Sequence, residues 1–151
     1  ASIAAAIAAP VRAQQSLPVA AGSGGRIEVK PGARIEGLDF SMQVALSAVV
    51  AAWDECAPGI TPVITSGLDH TPRRVANSWH KSGRAIDLRG RNLSAGDVRC
   101  ISNVLPRILA REHPQFRYVL IWESFPDNRA NNHFHLQSPS PHGRPPAQAK
   151  S

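Results

Sequence analysis

The hydrophobic period of this chain switches repeatedly between that of a helix and that of a strand, and this alternation restricts it to a mixed architecture. Ile27, Val29 and Ile35, punctuated by Gly32 and Gly37, predict a short extended opening stretch. Met42, Leu46, Val49, Val50 and Trp53 then recur at helical spacing, which predicts a helix from about Ser41 to Cys56, ended by Pro58-Gly59. Thr61 to Thr65 has the β-branched content of a strand, and a polar loop follows from Ser66 to Asn77. Arg84 to Leu88 alternates in character as a strand does. Ser94, with Asp97 three residues on, marks a helix start. Val98, Ile101, Leu105, Ile108 and Leu109 share the apolar face of that helix, and Pro106 predicts a kink in it. Tyr118 to Trp122 and His133 to Gln137 read as further strands. The expectation is an α+β domain with a small, largely antiparallel sheet and two principal helices.

A length of 151 residues leaves room for one domain. That domain is placed at 26–137, after a signal-peptide remnant and flexible linker (1–25) and before a disordered basic tail (138–151). Ala1 to Ala9 is almost entirely Ala and Ile, and the small residues Val11 and Ala13 suit signal cleavage before Gln14. The expected location is therefore secreted or periplasmic. There Cys56 and Cys100 can pair as a disulfide. No apolar run approaches the ~18 residues that span a bilayer. Two cysteines also cannot supply the repeated pairs of a classical zinc finger. The formal charge of +6 favours an anionic partner. Nucleic acid is not expected, because aromatics are only 5% of residues and no nucleic-acid motif is present.

The stretch that carries chemistry is Ser78-Trp79-His80-Lys81-Ser82-Gly83-Arg84-Ala85-Ile86-Asp87. It sets an imidazole and a carboxylate seven residues apart, with a glycine between them that permits a tight turn. Downstream, His133 and His135 in Asn132-His133-Phe134-His135-Leu136 fall on one face of a strand. Two histidines and a carboxylate form a known catalytic zinc set that leaves the fourth position open. Taken singly, each of these residues also reads as an ordinary polar side chain. Together, the Ser-x-His-x-x-Gly-x-Ala-x-Asp spacing is far more demanding than His-x-His alone.

At these residues the sequence resembles the D-alanyl-D-alanine carboxypeptidase family of zinc peptidases, which shares its metal-site architecture with hedgehog-like domains. Lys30 to Leu38, the helix after it, and Val63-Ile64-Thr65-Ser66-Gly67 look like the small phage-type members, and the likeness extends over about Ile27 to Gln137. The resemblance implies one zinc ion per chain, held by His80, Asp87 and His135. It also implies hydrolysis of peptidoglycan stem peptides by a monomer. The position matching the family's Ser-Gly-x-Arg arginine is Asp69, so that role is vacant or moves to Arg73 or Arg74. The family's basic carboxylate shortly before the last ligand is also missing: Asn132 and Ala130 stand there. Glu123, closing the preceding strand, takes that role, with Ser124 to Asn132 as an inserted loop and Asp127 in reserve. His133 is assigned to oxyanion stabilisation and Ser78 to orienting a ligand or to a plain turn. Arg73, Arg74, Lys81, Arg84, Arg89 and Arg91 would attract a substrate with free carboxylates. The alternative function is a zinc-containing cell-wall-binding module that lacks a base.

Overall fold

The computed structural model describes residues 15–18, 25–71 and 78–139. The signal-like leader, Arg73, Arg74 and most of the basic tail lie outside them. The strands are β1 (Gln15–Pro18), β2 (Arg26–Val29), β3 (Val63–Ser66), β4 (Ala85–Arg89), β5 (Val119–Glu123) and β6 (His133–Gln137). The helices are α1 (Phe40–Cys56) and α2 (Ala95–Glu112), with short 3-10 helices at Trp79–Ser82 and Arg129–Asn131.

The strands form one sheet in the order β1-β2-β3-β4-β6-β5. The α+β expectation holds, but the sheet is mixed. β2 and β3 pair in parallel, and the other pairings are antiparallel. The parallel pair follows from α1, which carries the chain back to the end at which β2 began. β1 falls within the stretch expected to be a linker and pairs antiparallel with β2. At the other end, Ser138 is buried rather than part of a tail, and its N–H donates to the Arg84 carbonyl at 2.9 Å.

Sequence-local signals account for the helix ends. Asp39 caps α1, its Oδ2 accepting from the Ser41 backbone N–H (3.1 Å) and hydroxyl (2.6 Å). Ser94 and Asp97 form the reciprocal capping box expected for α2. That helix continues through Pro106 to Glu112. Met42, Val49 and Trp53 of α1 and Ile101, Leu105 and Leu109 of α2 form one core with the sheet. The sheet contributes Ile27, Ile64, Ile86, Leu88, Phe134 and Leu136.

Strand alternation then decides what the other face carries. Since Ile86, Leu88, Phe134 and Leu136 point into the core, the residues between them point away from the helices. Three rows result across β4, β6 and β5: Ala85–Gln137–Val119, Asp87–His135–Ile121 and Arg89–His133–Glu123. The helix-free face of the sheet is therefore the chemical face.

A disulfide joins Cys56 at the end of α1 to Cys100 in α2, 44 residues apart in sequence. By the chain-entropy model such a link stabilises by about 2–4 kcal/mol. A Cys56→Ser/Cys100→Ser variant is expected to unfold at lower denaturant, with a slope equal to or steeper than that of the wild type because the freed denatured chain exposes more surface.

Candidate metal centre

The 3-10 helix Trp79–Ser82 exists to place His80. Ser78 caps it, its Oγ accepting from the His80 backbone N–H at 3.3 Å, so this serine orients the imidazole through the backbone. Gly83 closes it in the left-handed region (φ 70°), its N–H donating to the His80 carbonyl. A Cβ at Gly83 would stand 2.6 Å from the Gly37 carbonyl oxygen, which explains the glycine in the motif. Arg84 is structural: it pairs with Asp39 at 3.3 Å and donates to the Ser138 carbonyl at 3.1 Å.

His80, Asp87 and His135 converge, their donor atoms all within 4.8 Å of one another. Asp87 and His135 are directly opposed on β4 and β6, and their Oδ1 and Nδ1 atoms are 2.9 Å apart. His80 Nε2 lies 3.2 Å from the same oxygen. An ion bound ~2.0–2.2 Å from each of three tetrahedral donors would hold them about 3.3–3.6 Å apart, slightly wider than the two contacts to Asp87 Oδ1. The group can hold a metal ion.

A carbonyl oxygen only accepts, so the 2.9 Å contact of His80 Nδ1 with Gly67 O places the ring proton on Nδ1. The Nε2 lone pair of a neutral His80 then faces the Asp87 carboxylate. That nitrogen belongs to a side chain with 1% exposure and has no hydrogen-bond partner. His135 has both ring nitrogens against oxygens, Nε2 2.9 Å from Gln137 Oε1 and Nδ1 2.9 Å from Asp87 Oδ1, so in the metal-free protein a proton lies between Nδ1 and the carboxylate. The His80 Nε2 lone pair, His135 Nδ1 and a carboxylate thus meet around a single proton, whose place a metal ion would take.

In the metal-free protein a proton takes its place. Burial alone would push the Asp87 carboxyl up. The hydrogen bond from His135, contact with His80, and the charges of His80 and His133 outweigh it and hold Asp87 below the ordinary carboxylate range. Burial likewise works against a charged His135, but its hydrogen bond and charge interaction with Asp87, helped by Gln137 and Glu123, raise its pKa.

His133 does not join the trio. Its Nε2 stands 3.9 Å from Asp87 Oδ1 and 2.7 Å from Glu123 Oε2. Its Nδ1 donates to the Asn131 carbonyl at 2.6 Å, and Phe125 stacks on its ring, centroids 5.8 Å apart. With Nδ1–H committed to a carbonyl, the short Nε2–Oε2 contact requires one shared proton. Asp127, the reserve residue, is exposed in the loop after β5. Asn132 is spent on structure: its Oδ1 accepts from the Phe125 N–H at 2.7 Å and pins that loop.

The residues missed by sequence reasoning are Gln137 and Gly67, which fix the ring protons of His135 and His80. Gln137 lies two positions beyond His135 on the same strand face, the one signal that points to it. Gly67 acts through its carbonyl, to which side-chain type is no guide. Gln137→Leu is expected to weaken metal binding roughly 10–100-fold, as loss of an outer hydrogen-bond partner does, and competition with a chromogenic chelator would measure it.

Among the described residues no helix is long and apolar enough to cross a membrane. Comparison with protein-family models, curated proteins and solved structures finds no match for the chain.

Proposed function

We propose that this chain is a zinc peptidase that hydrolyses peptide bonds in peptidoglycan stem peptides, the activity implied by its resemblance to D-alanyl-D-alanine carboxypeptidases. The observation that carries this reading is the convergence of His80 Nε2, His135 Nδ1 and Asp87 Oδ1 beside a separate carboxylate–imidazole pair, Glu123 and His133. Two imidazoles and a carboxylate suit zinc with its fourth position open. Zinc held there would bring the pKa of its bound water toward ~7 and polarise a scissile carbonyl.

The chain's own residues supply the proton chemistry. Glu123 accepts the proton of the attacking water and returns it to the leaving amine. His133, its Nδ1–H held by the Asn131 carbonyl, positions the Glu123 carboxylate through Nε2; once Glu123 has taken the water's proton, the Nε2–H is released from that contact and donates to the developing oxyanion. Asp87, kept ionised, remains a ligand rather than a competing base. The Cys56–Cys100 disulfide supports a secreted or periplasmic setting, where such a substrate lies.

The test is digestion of purified peptidoglycan and defined linear stem peptides by protein loaded with one equivalent of zinc. Peptide-bond cleavage that a chelator stops and added zinc restores is the expected result. No cleavage of any of these substrates by fully metallated protein would overturn the reading. The remaining one would be a zinc-containing cell-wall-binding module, which the structural use of Asn132 favours.

A further inference from the structure

A cleft of about 440 Å³ opens beside the metal-binding atoms on the chemical face of the sheet. Asp87 and His133 form its wall toward the metal centre, and Lys30, Arg89 and Arg91 also line it. Asp87 is the one carboxylate among the lining residues, and in the metal-bound protein it is committed to the ion. An anion entering the cleft therefore meets three cationic side chains and no free acid.

The three cations are not equivalent. Arg89 is half-buried on β4, where burial and the nearby Arg91 work against its charge and Glu28 favours it. Lys30 and Arg91 are exposed and make no ion pair among the described residues. Both nonetheless spring from fixed backbone. The Lys30 N–H donates to the Ile64 carbonyl at 2.9 Å, which ties the end of β2 to β3. Arg91 sits in a turn held by Gly90 N–H to Asn132 O (2.9 Å) and Leu93 N–H to Gly90 O (3.0 Å). Two unpaired cations on fixed supports, facing a cleft that shares a wall with the metal centre, describe an anion subsite.

We infer that this cleft is a carboxylate subsite, in which Lys30 and Arg91 hold a free carboxylate of the peptide whose bond lies over His80, Asp87 and His135. That such a peptide is a substrate rests on the peptidase reading; the subsite itself is a statement about binding. Charge-assisted contacts to a carboxylate are the strong ones, and at a solvent-open cleft they are screened by salt.

The experiment uses the zinc-loaded full chain at low ionic strength and titration calorimetry with two matched peptide pairs. One pair is diacetyl-Lys-D-Ala-D-Ala with a C-terminal carboxylate or carboxamide. The other is a stem pentapeptide ending in carboxamide, with D-glutamate or D-glutamine at its second position. In at least one pair the acid is expected to bind about tenfold more tightly than the amide, and that pair identifies whether the carboxylate is terminal or in a side chain. Lys30→Ala/Arg91→Ala should bring this ratio close to one while zinc content and the unfolding transition stay unchanged. An acid-to-amide ratio near one for both pairs in the wild type, or an unaltered ratio in the double variant, overturns the inference. Cleavage is scored separately: preference for the acid without turnover keeps the subsite and rejects the peptidase. Turnover with no such preference does the reverse.

Discussion

His80→Ala is expected to lose more metal affinity than any other single change, beyond the roughly 10–100-fold that removal of an outer partner costs. The reason is geometric. His80 is the most buried of the three ligands, and the protein commits a capped 3-10 helix, a left-handed glycine and the Gly67 carbonyl to aiming its Nε2 at Asp87. Alanine leaves two donors and a void that no neighbouring donor fills. Metal content after dialysis against a buffered zinc solution measures the effect, and equal zinc in the variant and the wild type would exclude His80 as a ligand.

The same centre fixes the direction of the pH dependence. In the metal-free protein His135 titrates above its ordinary value of 6.5, so protons compete for Nδ1 from above that pH downward. Metal affinity should fall as pH decreases through this range, and binding should release protons. Without metal the linkage has two opposed parts. The raised His135 value stabilises the fold below the ordinary histidine range, and this contribution disappears as pH rises through the folded value. The lowered Asp87 value stabilises above the ordinary carboxylate range, and that contribution disappears on acidification. Denaturant midpoints of the apo protein across pH would separate the two.

The candidate metal-binding group was legible in the sequence because its residues sit where local pattern determines direction. Strand alternation through Ile86-Asp87-Leu88 and His133-Phe134-His135 sends the apolar residues to the core and the polar ones to the opposite face. The Ser94–Asp97 box and the punctuation after Cys56 were legible for the same reason: caps are local chemistry. What stayed hidden depends on contacts distant in sequence. The parallel β2–β3 pairing and the strand β1 are decided by neighbours rather than by composition. Asp87 and His135 become direct neighbours only when β4 and β6 pair across 48 residues of chain. Lys30 reaches the cleft only through the end of β2, and a run of basic residues in sequence did not separate the structural Arg84 from the cleft-lining Arg89 and Arg91.

Glu123→Gln is expected to leave metal binding intact and to cut turnover by about 10²–10⁴, the usual contribution of general acid–base catalysis. Glutamine keeps the shape of the side chain and its hydrogen-bonding reach, but an amide takes no proton from water. Asn132 has the same deficiency and is in any case engaged with the Phe125 backbone, so under the proposed peptidase activity the carboxylate would come from another element. β5 provides it: Glu123 is directly opposed to His133, and their side chains meet at 2.7 Å, one row from Asp87 and His135. Asp127 is exposed in the following loop, and Asp127→Asn should retain nearly full rate. Rates on defined stem peptides, with zinc determined on the same samples, provide the comparison. Wild-type rates from Glu123→Gln together with collapse in Asp127→Asn would move the base to the loop. Loss of zinc from Glu123→Gln would instead make the Glu123–His133 pair a support of the metal centre.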